Sequence, residues 1–138
     1  MIISARNQIT GKIESVQKGA VNAIVTLKTD GGAAITSTIS MSAVKDLGLA
    51  PGKEATAVIK ATEVMIGIGD MKLSARNQIA GKIQSVKEGA VNAVVTLKTD
   101  DGNTITSTIS MAAVKDLGLA PGVKAKAVIK ATSVMMAV

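Results

Sequence analysis

Two short segments of this 138-residue chain hold the side chains best suited to chemistry: Ser4-Ala5-Arg6-Asn7 and Lys60-Ala61-Thr62. Together they offer a planar guanidinium fork, an ammonium, two hydroxyls and backbone N–H groups. A tetrahedral oxyanion carries four acceptor oxygens and net negative charge, and holding one without a metal requires several convergent donors and one or two fixed cations. The small side chains of Ala5 and Ala61 would let such an anion approach the backbone closely. The set occurs a second time as Ser74-Ala75-Arg76-Asn77 with Lys130-Ala131-Thr132. A second candidate is the run Gly19, Ala20, Val21 and Asn22, repeated as Gly89, Ala90, Val91 and Asn92, a turn with unhindered amides and one side-chain amide. Spacing alone also fits blander roles. Arg6 and Lys60 would then be solvated charges on strands, Ser4 a lead-in to the first strand, Asn7 the cap of a turn, and Gly19 a hairpin residue needing positive φ.

Composition narrows the chemistry further. The chain has no Cys, no His and no aromatic residue, which excludes thiol and imidazole catalysis, disulfides and zinc-ribbon sites. It also removes any stacking platform for single-stranded nucleic acid. The carboxylates fall in turns, in a helix or at strand positions expected to face solvent, several without an acid at the equivalent place in the other half. No pair suggests general acid and base, no phosphate loop occurs, and the expectation is a protein without catalytic activity or enzymatic cofactor. Sixteen basic against ten acidic residues give a net charge of +6, a mild field favouring an anionic partner. The seven Met read as core filler. No apolar run approaches the roughly 18 residues of a membrane span, and Met1-Ile2-Ile3-Ser4-Ala5-Arg6 lacks the layout of a signal peptide. A soluble, cytoplasmic protein without membrane contact is expected.

The elements that must position these groups are written twice. A shift of 70 aligns residues 4–68 with 74–138 without a gap, about 49 of 65 pairs being identical. The expected domains are 1–69 and 70–138, joined by the short Gly67-Ile68-Gly69-Asp70-Met71-Lys72. Within each copy, period-2 patterning dominates: Val21, Ala23, Val25 and Leu27, then Ile35, Ser37, Ile39 and Met41, then Ala57, Ile59 and Ala61. A first strand is expected over residues 8–16 with a bulge or bend at Gly11. A hairpin turn follows at Lys28-Thr29-Asp30-Gly31-Gly32. A short helix over 42–47 is capped by Ser40 and closed by Gly48, and a fifth strand covers 64–68. Five short strands with one helical turn between the third and fourth predict an all-β chain of two tandem OB-like five-stranded β-barrel domains, each with one short helix. Units of this size bury barely enough apolar surface alone, so docking of the halves and association with other chains are expected.

The strings SARNQI, GAVNA, LGLAPG and VIKAT, all present twice and in order, resemble the molybdenum-pterin-binding proteins, the molbindins, in their tandem form. The resemblance covers nearly the whole chain. It implies an OB-like barrel that binds molybdate or tungstate inside the cell for storage and homeostasis, with six domains about a threefold axis, hence a homotrimer of tandem chains. It implies that Ser4, Ala5, Arg6, Lys60, Ala61 and Thr62 form one face of an intersubunit oxyanion site, repeated by Ser74, Ala75, Arg76, Lys130, Ala131 and Thr132. Ser40 and Ser110 would supply the opposite face, and the GAVN turns a second type of site near the axis. Related domains often carry Ser in the first helical turn where this chain has Ala43 and Ala113. A nucleic-acid-binding OB protein and a purely structural oligomerisation module are the competing readings.

Overall fold

A computed structural model describes residues 1–138. The first half runs β1 (Asn7–Lys18), β2 (Asn22–Thr29), β3 (Ala34–Ser40), α1 (Met41–Leu47), β4 (Glu54–Ile59), a single 3-10 turn (Ala61–Glu63) and β5 (Met65–Gly67). The second half repeats it as β6 (Asn77–Glu88), β7 (Asn92–Thr99), β8 (Thr104–Ser110), α2 (Met111–Leu117), β9 (Lys124–Ile129), a 3-10 turn (Ala131–Ser133) and β10 (Met135–Ala137). Neither helix is long and apolar enough to cross a membrane.

Alternation decides which face of each strand goes inward. On β2, Ala23, Val25 and Leu27 are buried while Asn22 and Lys28 are exposed. Val21, expected to continue that buried face, is 74% exposed, because it sits in the turn before the strand begins. Val58, expected outward on β4, is buried between its ladder neighbours Gln8 and Met135. The bulge of β1 falls between Ile13 and Ser15, not at Gly11. Gly11 answers a different need: a Cβ there would lie 2.1 Å from the Lys28 carbonyl oxygen, so only glycine lets β1 and β2 pass this closely. Each helix begins where the third strand ends. The Ser40 hydroxyl accepts from the Ala43 N–H at 3.0 Å, and Gly48 closes α1 at φ 61°.

The sheets are not the sheets of the two repeats. Their strand orders are β10-β4-β1-β2-β3 and β5-β9-β6-β7-β8, so each half completes its barrel with the other half's last strand. The fifth strand lies within the expected 64–68 segment, but β5 pairs with β9 (Met65 opposite Val128), and β10 pairs with β4 (Met135 opposite Val58). Buried side chains reinforce the exchange reciprocally. The Ser37 hydroxyl donates to the Val134 carbonyl and that of Ser107 to Val64, both at 2.5 Å. The Asn7 amide donates to the Thr106 carbonyl and accepts from its N–H, both at 2.8 Å, and Asn77 does the same with Thr36. Asn7 is thus a clamp between halves rather than the cap of a turn. A continuous core of 24 buried residues runs from Ile9 through both barrels to Met136.

The halves also meet at their hairpin tips. A Cβ on Gly31 would fall 2.2 Å from the Asp101 carbonyl oxygen. The Asp101 carboxylate in turn accepts from Thr29 of the first half at 2.9 Å and from Thr99 and Asn103 of its own. The repeats differ here at Gly31/Asp101, where a side chain on both tips would collide, and at Ala33/Asn103.

Candidate functional site

The last ladder pair between β1 and β4 is Asn7 opposite Ile59. Arg6 precedes one partner and Lys60 follows the other, so the strand ends deliver both cations to one rim. Beyond them the chains part, and the space between is a cleft of about 340 Å³ lined by Ile3, Ser4, Ala5, Arg6, Lys60, Ala61, Thr62 and Met135. Its counterpart at the end of β6 and β9 is a cleft of about 380 Å³ lined by Thr38, Met65, Leu73, Ser74, Ala75, Arg76, Lys130, Ala131 and Thr132. The structure therefore brings together, in each half, the Ser, Arg, Lys and Thr singled out in the sequence. No carboxylate lines either cleft. Arg6, Lys60, Arg76 and Lys130 are solvent-exposed, whereas Ala5, Ala61 and Ala131 are buried floor.

Local structure fixes the donors. In the turn Ala61–Glu63 the Glu63 N–H bonds the Lys60 carbonyl at 2.9 Å and Val64 bonds Ala61 at 3.3 Å. The first N–H groups of a helical turn, here those of Ala61 and Thr62, have no acceptor within the turn and remain available to a ligand. On the other wall, Gln8 donates from Nε2 to the Ala5 carbonyl at 3.1 Å and fastens the bend that carries Ser4 and Arg6. Gln78 does so for Ala75 at 3.3 Å. The Asn7 amide also donates to the Ile59 carbonyl at 3.2 Å, linking the neighbours of Arg6 and Lys60.

Sequence reasoning missed part of the lining. Met135 and Met65 reach the clefts from the exchanged strands and Thr38 from β3 of the opposite half. Nothing local in the sequence signals them, since their placement follows from the exchange. Gln8 was within reach, standing inside the repeated SARNQI string. Ser40 and Ser110, by contrast, line neither cleft of their own chain. Each caps its helix and pairs across the ladder with Asn22 or Asn92. Ser40 stands two positions beyond Thr38 on β3, roughly 7 Å further along.

Ser40 belongs spatially with the turn of Gly19, Ala20, Val21 and Asn22, whose Val21 carbonyl accepts from the Met41 N–H at 2.8 Å. Gly19 has no positive φ, so the hairpin-φ reason for a glycine does not hold. A Cβ there would meet the Asn22 carbonyl at 2.6 Å, and Gly89 repeats the constraint at 2.5 Å. Gly19 spends its N–H on that carbonyl at 2.9 Å. All eight residues of the two turns are exposed.

Fold and clefts together define a class: paired OB-like barrels, mutually completed by strand exchange, each presenting an arginine, a lysine and free backbone donors at one strand end. The chain belongs to the TOBE domain family, which matches residues 3–66 and again 73–136. It is 39% identical over its full length to the molybdenum transport protein ModE of Azotobacter vinelandii, covering 52% of that protein. It is 37% identical over 99% of its length to the molybdenum-pterin-binding protein MopA of Rhodobacter capsulatus, again covering 52%. The probable molybdenum-pterin-binding protein of Haemophilus influenzae is 56% identical over 49% of the chain and 99% of its own. The chain thus spans about half the length of ModE and MopA. Among solved structures, the cytoplasmic molybdate-binding protein ModG, determined with molybdate bound, superposes with a TM-score of 0.97 at 42% identity, covering 100% of this chain and 99% of that one.

Proposed function

We propose that the chain binds molybdate or tungstate in these two clefts and serves as a cytoplasmic store that buffers the oxyanion, without catalysis. One observation carries the reading: each cleft gathers an arginine, a lysine, hydroxyls and free N–H groups with no carboxylate among them. A doubly charged tetrahedral anion complements that set in charge and in acceptor number. The likeness to ModG at full coverage supports the choice of oxyanion. Repeat units 1–69 and 70–138 each supply the cations of one binding barrel, Arg6 and Lys60 in one and Arg76 and Lys130 in the other, and each barrel is completed by the other unit's last strand.

The exposure of these cations supports a site closed by another molecule. In a homotrimer of six domains a neighbouring chain covers each cleft and brings its Ser40 or Ser110 to the anion, while the turns at Gly19 and Gly89 gather near the axis as a second type of site. Ala43 and Ala113 offer no hydroxyl there, and the N–H groups of Met41, Ala43, Met111 and Ala113 are already bonded. Ser40 and Ser110 therefore carry that wall with the N–H groups of Ser42 and Ala112 and, in the first half, the Ser42 hydroxyl.

The test is metal analysis after equilibration with molybdate plus excess sulfate and gel filtration. The native protein is expected to retain more than one molybdenum per chain. Arg6→Ala with Arg76→Ala is expected to retain almost none while keeping its far-ultraviolet dichroism. Retention at the native level in the double variant overturns the assignment.

A further inference from the structure

The largest cleft of the molecule lies elsewhere and occurs in one half only. It measures about 530 Å³ and is lined by Lys82, Lys124 and Lys126, by Gly81, by Asp70 of the inter-repeat segment and by Asp100. The lysines share the outer face of the second sheet. Lys82 stands directly opposite Lys124 on β9 and directly opposite Lys98 on β7. Like charges placed opposite one another in a ladder destabilise it. The first half shares the β1–β2 pair, Lys12 opposite Lys28, but on its other side Lys12 faces Glu54, and Thr56 stands where the second half has Lys126. Only Lys126 has an acidic partner, Asp70 at 3.3 Å, whose own side chain is fully solvated.

We propose that this cleft is a second kind of anion site, one that takes a small, multiply charged phosphate compound such as a polyphosphate or the phosphate chain of a small metabolite. Lysine ammoniums act as point charges that tolerate many phosphate geometries. Lys82 on β6 and the pair Lys124 and Lys126 on β9 stand on neighbouring strands about 5 Å apart, so their ammoniums reach several linked phosphoryl groups at once. The absence of any aromatic side chain from the chain leaves charge, not ring stacking, as the basis of recognition. The site is concave, and Asp70 and Asp100 among its lining repel an extended acidic partner, while the three lysines still outnumber them for a compact anion. Asp70 holds on Lys126 the place that a phosphoryl oxygen would take. Its full exposure makes it easy to displace.

The test is calorimetric titration of inorganic tripolyphosphate into protein already saturated with molybdate, which occupies the other clefts. One tripolyphosphate per chain is expected, with affinity falling as salt is raised. Lys124→Glu with Lys126→Thr, which copies the first half, is expected to weaken binding at least tenfold and leave molybdate retention unchanged. Asp70→Asn is expected to tighten binding severalfold. Undetectable binding to the native protein, unchanged binding in the lysine double variant, or loss of tripolyphosphate binding on Arg6→Ala with Arg76→Ala instead would each overturn the proposal.

Discussion

A single buried amide shows how closely site and stability are joined in this chain. Asn7 is 2% exposed and its side chain bonds Ile59 within its own half and Thr106 in the other. It thereby anchors the backbone that presents Arg6. Asn7→Ala would strip a part-buried N–H and two carbonyls, one of them buried, of partners, at a cost of about 3 kcal/mol. Denaturant unfolding followed by far-ultraviolet dichroism is expected to show a midpoint shift of that size, and an unchanged midpoint would contradict the clamp. Gly11→Ala is expected to be comparably damaging, since its Cβ cannot occupy the same space as the Lys28 carbonyl. The SARNQI string marked these positions as special, and Arg6, Lys60 and their repeats did converge. The work done by Asn7 was not legible, because Thr106 lies 99 residues away and no local pattern announces such a partner.

At the scale of elements, alternation, caps and turns placed every strand and both helices to within a few residues. What the sequence reading misplaces is the sheet that each short fifth strand joins: it puts the strand in its own half's barrel, and the strands are exchanged. The reason is physical: β4 and β9 offer the same Val and Ala to the first two residues of a fifth strand and differ only at the third, Thr56 against Lys126. Local preference is degenerate there, and the path of the chain after the 3-10 turn decides. The exchange makes each fifth strand indispensable to the other half. Truncation after Val134 would expose the β4 edge and remove Met136 from the core, of which it is a 9% exposed member. Loss of that side chain's burial alone costs about 2 kcal/mol, and a bare edge strand invites pairing with other chains. The truncated protein is expected to unfold at lower denaturant and to aggregate by light scattering. A stable, monodisperse truncated form would show that β10 is dispensable.

The molecule as a whole is asymmetric at its seam and open on its outside. At the seam, burial pushes the Asp101 carboxyl up, but hydrogen bonds from Thr99, Thr29 and Asn103 with a backbone N–H outweigh it and hold the group below its ordinary 3.8. A carboxylate with a depressed folded value stabilises fully above the unfolded value and loses that contribution as pH falls from 3.8 through the folded one. Asp101→Asn is therefore expected to flatten the acid limb of the stability profile below pH 3.8, as measured by dichroism. Outside, the accessible surface is 7592 Å², against about 6,700 Å² for a compact monomer of this mass. The excess includes Val21 and Val91, both 74% exposed at turn tips, and Ile3 and Leu73 beside the cation clefts. Apolar surface left at both kinds of proposed site is surface that assembly would cover. Light scattering is expected to give about 42 kDa, three chains of 13.9 kDa. Val21→Lys with Val91→Lys places six like charges where the turns are proposed to gather, and is expected to return the single-chain mass with the dichroism intact. A native protein that scatters as one chain, and still retains molybdate against sulfate, would mean that each cleft is complete within the tandem barrel and that Ser40 and Ser110 serve only their helices.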